Sequence, residues 1–198
     1  MSVLRKVALL VAAVILLGSS ALARPQSQNE APDPLLEGHK IVNIVDDFLN
    51  FWEQAKGKKL RLQRQLWLRL VEGKHQDYFE RAVYNNAGWD ERRQLLDQFL
   101  KQAPAKMNAL REFNKTAVGD IRAALMNFKA RFPEYHQQRD IYLGLSLLTF
   151  DGSVRPLQNY EGIPDTLCLG ADVLADYSFE QLQIAIAHEF FHLYHFNF

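Results

Sequence analysis

Cysteine is nearly absent from this chain: Cys168 stands alone among 198 residues. No internal disulfide can form, so the fold has to be held by its apolar core. A single thiol inside the apolar stretch Thr166-Leu167-Cys168-Leu169 reads as a small buried hydrophobe, not a nucleophile. An excess of one charge is lacking too. Lys and Arg number 23, as do Asp and Glu. That balance supplies no basic field, which argues against nucleic acid or an anionic membrane as partner. There is no internal repeat. The longest apolar run, Val7 to Leu17, has eleven residues, short of the roughly 20 that span a bilayer.

That run sits in a processing signal. Arg5 and Lys6 precede it and Ala21-Leu22-Ala23 follows as a small-residue cleavage site, which predicts a mature chain from Arg24. Residues 1–23 are therefore expected to be a signal peptide, with secretion or a periplasmic location and no stable membrane insertion after cleavage. Retention of the run as an uncleaved anchor is the alternative. No cysteine follows it to carry a lipid. Residues 24–37 hold three of the chain's seven prolines among Ser, Gln and Asn, the composition of a disordered linker.

From 38 to 135 the pattern is helical. Ile41, Ile44, Val45, Phe48 and Trp52 share one face, then Leu62, Leu66, Trp67, Leu70 and Val71 after the Lys-Gly-Lys-Lys break at 56–59. Tyr78, Phe79, Val83 and Tyr84 follow. Asp90 is placed to cap a helix carrying Leu95, Leu96, Phe99 and Leu100, which Pro104 is expected to interrupt. Val118, Ile121, Leu125, Phe128 and Phe132 form a further stripe ending before Pro133. His39, His75 and His136 are isolated and take no role.

The period changes near Asp140. Ile141 to Leu148 reads as a strand and Asp151-Gly152 as a hairpin turn. Val154 to Leu157 is a candidate antiparallel return, with Pro156 confining it to an edge or bulge. Thr166 to Leu169 is a second short strand closed by Gly170. Asp172 and Asp176 precede a helix that a Ser178/Gln181 capping box starts near Phe179.

That last helix carries His188-Glu189-Phe190-Phe191-His192. Residues four apart share a helix face, so the imidazoles of His188 and His192 can reach one Zn²⁺. Glu189, about 100° round the axis, stands beside the ion, where a general base for a water is needed. The helix is apolar on nearly all sides and is expected to be buried. Buried imidazoles and a carboxylate are costly without partners, and a metal is one. The bland counterpart is a pair of hydrogen-bonded core histidines. His195 lies about 10.5 Å along the axis from His188, too far to share an ion with it, and is expected to back the site or line a cleft. With Tyr194 and Tyr160 it is a candidate donor to a developing oxyanion. The metzincin spacing would need Gly at 195 and His at 198; the chain has His195 and Phe198, which excludes that class.

The motif and its continuation Leu193-Tyr194-His195, with Y-L-G-L-S-L-L-T-F-D-G at 142–152 and L-G-A-D at 169–172, resemble a group of bacterial secreted predicted zinc-dependent proteases of gluzincin-like type. The resemblance covers roughly residues 140–198. It implies zinc on His188 and His192, Glu189 as catalytic base, and a peptide or protein substrate. It also implies a third ligand, a Glu on a later helix beyond Phe198, so the chain is expected to be incomplete. In zincins the last strand before the active helix borders the cleft and accepts the peptide as an added strand; here that role would fall to Thr166–Gly170, which reads equally as ordinary core. The expected fold is α+β and mostly helical, a helical region at 38–135 followed by a zincin-like region at 136–198 with a small sheet and the H-E-x-x-H helix. A non-catalytic periplasmic helical binding module with a vestigial or regulatory metal site is the alternative reading.

Overall fold

The computed structural model describes residues 33–157 and 165–196; residues 1–23, expected to be a signal peptide, and Tyr160 and Phe198 lie outside them. The described chain is α+β and mostly helical, with one small mixed sheet. Pro32–Phe198 forms one compact unit, whose sheet draws strands from both the 38–135 and the 136–198 stretch.

Residues 33–37, assigned by composition to a linker, are ordered. Asp33 accepts a hydrogen bond from the Leu35 amide at 3.1 Å and starts the 3₁₀ turn Pro34–Leu36, which buries Leu36. Ile41 belongs to a strand, β1 (Ile41–Asn43), not to the first helix. The cause is local. The Asn43 side chain accepts from the Val45 amide at 3.0 Å, so helix α1 (Val45–Ala55) begins only after it. The residues before are left to pair in a sheet.

Helix α2 (Leu60–Leu70) follows the Lys-Gly-Lys-Lys break. A short helix α3 (Gln76–Tyr78) then runs into a wide π turn over Phe79–Tyr84, where the Asn85 amide bonds the Glu80 carbonyl. Their aromatic residues meet in one cluster. The Phe48 ring lies 5.8 Å from Phe51, 6.2 Å from Trp67 and 5.5 Å from Phe99, and all four are fully buried. Helix α4 (Trp89–Arg131) is continuous over 43 residues and passes through Pro104. Proline costs the bond to the preceding turn. Pro104, however, lies on the exposed face, so its ring displaces no core packing, while Ala103, Met107 and Leu110 keep the buried stripe intact.

The sheet has the order β1-β2-β4-β3, with β2 (Ile141–Gly144), β3 (Gly152–Arg155) and β4 (Thr166–Gly170). Strand β2 stops at Gly144, four residues earlier than the apolar run predicts. β1, β2 and β4 run parallel, with Ile41 opposite Ile141 and Tyr142 opposite Cys168. The expected β2–β3 hairpin does not form. β3 instead pairs antiparallel with β4, Ser153 opposite Cys168. Hydrophobicity explains the order: β4 is buried along its whole length, whereas Gly-Ser-Val-Arg is only half-buried and takes the edge. Helix α5 (Ala171–Leu174) leads from β4 to α6 (Phe179–Phe196). α6 lies against both β3 and β4 and packs on α4, where the Phe128 ring is 5.7 Å from Phe190.

Candidate metal centre

Helix α6 begins where the sequence places it. The Ser178 amide donates to Gln181 Oε1 at 2.9 Å, and the Gln181 amide donates to Ser178 Oγ at 3.3 Å, a reciprocal capping box. Its packed side is set by Leu182, Ile186, Phe190 and Leu193. Its opposite side is open, contrary to an all-round apolar burial: Ile184 is 71% exposed and Phe191 48%. These two residues, with Phe128 of α4, Phe132 just beyond it and His188, line a groove of about 480 Å³.

The three motif residues come together between these two sides. His188 Nε2 and His192 Nε2 stand 2.9 Å apart, and a Glu189 carboxylate oxygen lies within 4.8 Å of the ring nitrogens. His188 is exposed, whereas Glu189 is 9% exposed. Among the described residues this is the group of three or more His, Cys, Asp and Glu donors that could hold an ion. The donor chemistry suits zinc: two imidazoles at borderline-soft nitrogen, with a carboxylate beside them. Two nitrogens bound to one tetrahedral zinc would stand roughly 3.3 Å apart, a few tenths of an ångström wider than found here.

Burial pushes the Glu189 carboxyl above its ordinary range, against the downward pull of His192 and His188. What buries it is the edge strand. Gly152 on β3 abuts the Glu189 side chain so closely that a Cβ there would stand 2.5 Å from Glu189 Cγ and 3.1 Å from Cδ. The Asp151-Gly152 pair is therefore not a hairpin turn but the place where the sheet edge meets the catalytic candidate. Asp151 is itself tied down, its Oδ2 accepting from the Tyr177 hydroxyl and its Oδ1 from the Gly152 amide, both at 2.8 Å. Burial raises its carboxyl, and these two donors more than offset that and hold it below the usual value.

The remaining candidates fall elsewhere. His195 is exposed, and its ring stacks on Phe191 at 6.4 Å and 11°; it does not join the three-residue group. Tyr194 packs against Phe128 and Phe132 on the α4 side of α6, and its hydroxyl bonds Glu134. Cys168 is fully buried, its Sγ facing the Thr166 carbonyl at 3.8 Å, and burial pushes its thiol up, which suits an inert core residue. Thr166–Gly170 cannot border a cleft as an open strand, since β2 and β3 flank it on both sides. The outer strands of the sheet are β1 and β3, and β3 is the one beside α6. Gly152 and Asp172 help build the site without a local sequence signal for it, because the partners of the L-G-A-D stretch lie some 26 residues away in the chain.

No protein-family description, no curated protein and no solved structure matches this chain.

Proposed function

We propose that the protein is a secreted zinc peptidase in which His188 and His192 hold the ion, Glu189 is the general base and a third ligand comes from a residue outside this group. The observation that carries this reading is the convergence of two imidazole nitrogens 2.9 Å apart with a mostly buried carboxylate, at a point reached from solvent through His188. When bound, zinc would polarise the scissile carbonyl and acidify a water. Glu189 accepts a proton from the attacking water and returns it to the departing amine. Its position against Gly152 excludes solvent from one side of the carboxylate and keeps it basic.

The substrate backbone has a natural dock beside this base. The Asp151 carbonyl accepts from the Gly170 amide and the Arg155 carbonyl from the Asp165 amide, so odd-numbered residues of this strand face β4. By the alternation of an antiparallel ladder, the N–H and C=O of Val154 face the open edge, where an extended peptide can add as a further strand.

The test is metal content and hydrolysis of an unstructured peptide by the full chain. Glu189→Gln should keep zinc and lose at least about a thousandfold in kcat, in the range by which general bases contribute. His188→Ala should lose the metal. Undiminished hydrolysis in both variants overturns the assignment. Zinc binding with no hydrolysis in the unaltered chain favours the non-catalytic module.

A further inference from the structure

Two consecutive leucines in the loop before the edge strand adopt left-handed backbone: Leu147 has φ 55° and Leu148 φ 65°. A residue with a Cβ seldom takes that conformation, and two in succession persist only where the surroundings over-determine them. The surroundings here are one side chain. Asp172 at the start of α5 has no solvent exposure, and its carboxylate accepts from the Ser146 amide at 2.7 Å, the Ser146 hydroxyl at 3.1 Å and the Leu148 amide at 2.6 Å. Both oxygens are used, one on each side of Leu147.

The turn so fixed runs directly into the site. Thr149 closes it on the Ser146 carbonyl through its amide at 3.3 Å and its hydroxyl at 2.6 Å. Phe150 then passes against Gly170, where the Phe150 carbonyl and the Ser146 side chain leave no room for a Cβ. The Asp151 carbonyl accepts from the Gly170 amide at 2.7 Å, and Gly152 arrives against Glu189. The Y-L-G-L-S-L-L-T-F-D-G and L-G-A-D stretches are thus the two halves of one device, far apart in sequence and locked by Asp172.

We propose that Asp172 is a positioning residue for the peptidase reaction: by holding Ser146–Leu148 in its left-handed turn it sets where Asp151–Gly152 stands against Glu189 and where the open edge of β3 meets substrate. Asp172 touches neither metal nor substrate and acts through the backbone. The proposal rests on the peptidase reading for what the strand is for, though not for what holds the strand.

Asp172→Asn tests it, because a carboxamide offers one acceptor oxygen where the turn needs two and sets an N–H₂ group against an amide donor. In the full chain, backbone amides of residues 146–152 should exchange with deuterium at least tenfold faster while those of α4 and α6 are unchanged, with zinc content unaltered. KM for an unstructured peptide should rise several-fold, because the edge that binds it is displaced. Leu148→Gly, placed in the Asp172→Asn chain, should bring KM back towards the unaltered value, since glycine adopts a positive φ without the side-chain cost, while the amides of 146 and 148, still short of an acceptor, stay fast to exchange. Leu148 is only partly buried where it packs on the core, so the replacement costs less packing than at a fully buried leucine. Should Asp172→Asn alone fail to fold, the double variant is expected to fold and still to show fast exchange at 146 and 148, the amides whose acceptor is lost.

Unchanged exchange at 146–152, exchange raised throughout the molecule, or a kcat reduced in proportion to folded protein at unchanged KM would overturn the proposal. So would failure of Leu148→Gly to rescue. Absence of zinc or of hydrolysis in the unaltered chain would instead remove the peptidase reading, and local exchange would still decide what Asp172 does.

Discussion

Gly152 and Glu189 occupy one space: the strand can approach the helix only because residue 152 has no side chain, and a Cβ there would come within 2.5 Å of Glu189 Cγ. Glycine is required at this point for room, and not for an unusual dihedral, since Gly152 is not among the positive-φ residues.

On the proposed peptidase reading, Gly152→Ala should therefore leave the fold and the metal in place and move the base. The clash falls on the middle of the Glu189 side chain, so the carboxylate must swing to a different rotamer. Zinc content should stay at that of the unaltered chain, while kcat falls by at least about tenfold. Metal analysis and steady-state kinetics on the same preparation check it. Equal kcat in the two chains would mean that the carboxylate position is not set by the strand.

Val154→Pro probes the open edge. An edge strand tolerates proline where its N–H faces away from the neighbouring strand, and Val154 meets that condition by ladder alternation. Cooperative unfolding should be retained with a small loss of stability, and KM for a peptide should rise because one backbone donor to substrate is gone. An unaltered KM would place the substrate elsewhere, with the groove beside His188 as the next surface to examine.

Acid should weaken the helical half through Asp47. Its carboxylate accepts from Lys74 Nζ at 2.5 Å and pairs with His75 Nε2 at 2.8 Å. Burial raises the carboxyl, but the bonds to Lys74 and His75 hold it below its ordinary value. The unfolded chain consequently takes up the proton first as pH falls. The stabilisation is complete above the ordinary Asp range and is lost as pH drops through the native value. The groups are partly exposed, so the contribution is about 1 kcal/mol or less. Asp47→Asn should lower the urea midpoint at pH 7 and narrow the gap to the unaltered chain at pH 3. A gap that stays the same at both pH values would show that the charge is not involved.

Phe48→Ala removes the ring at the centre of the Phe51, Trp67 and Phe99 cluster, where it has no solvent exposure. The cavity and lost burial should cost about 3–5 kcal/mol, read as a lower midpoint of thermal or urea unfolding. A loss under about 1 kcal/mol would mean that the cluster closes over the gap.

Much of the helical half could be read from spacing because its information is local. The apolar stripes of α1, α2 and α4 repeat every three or four residues, the Ser178/Gln181 box spans one turn, and the three motif residues fall together because helix geometry alone brings residues 188 and 192 to one face. Where local signals competed, the outcome depended on exposure. Pro104 reads as a break, yet α4 continues because the proline faces solvent. Ile41 reads as helix by period, yet it pairs with Ile141 a hundred residues later.

The amino-acid order alone determined that this chain carries an H-E-x-x-H helix with a proper start, a mostly helical body and no disulfide. Those outcomes need only side-chain period, capping and a count. Tertiary structure alone decided that β3 passes β2 to become the edge, that β4 is sealed in the centre, and that Asp172 governs a turn 26 residues upstream. The physical reason is that strand order and buried polar bonds are settled by competition for the sheet's interior among segments distant in sequence, and no local window contains the competitors.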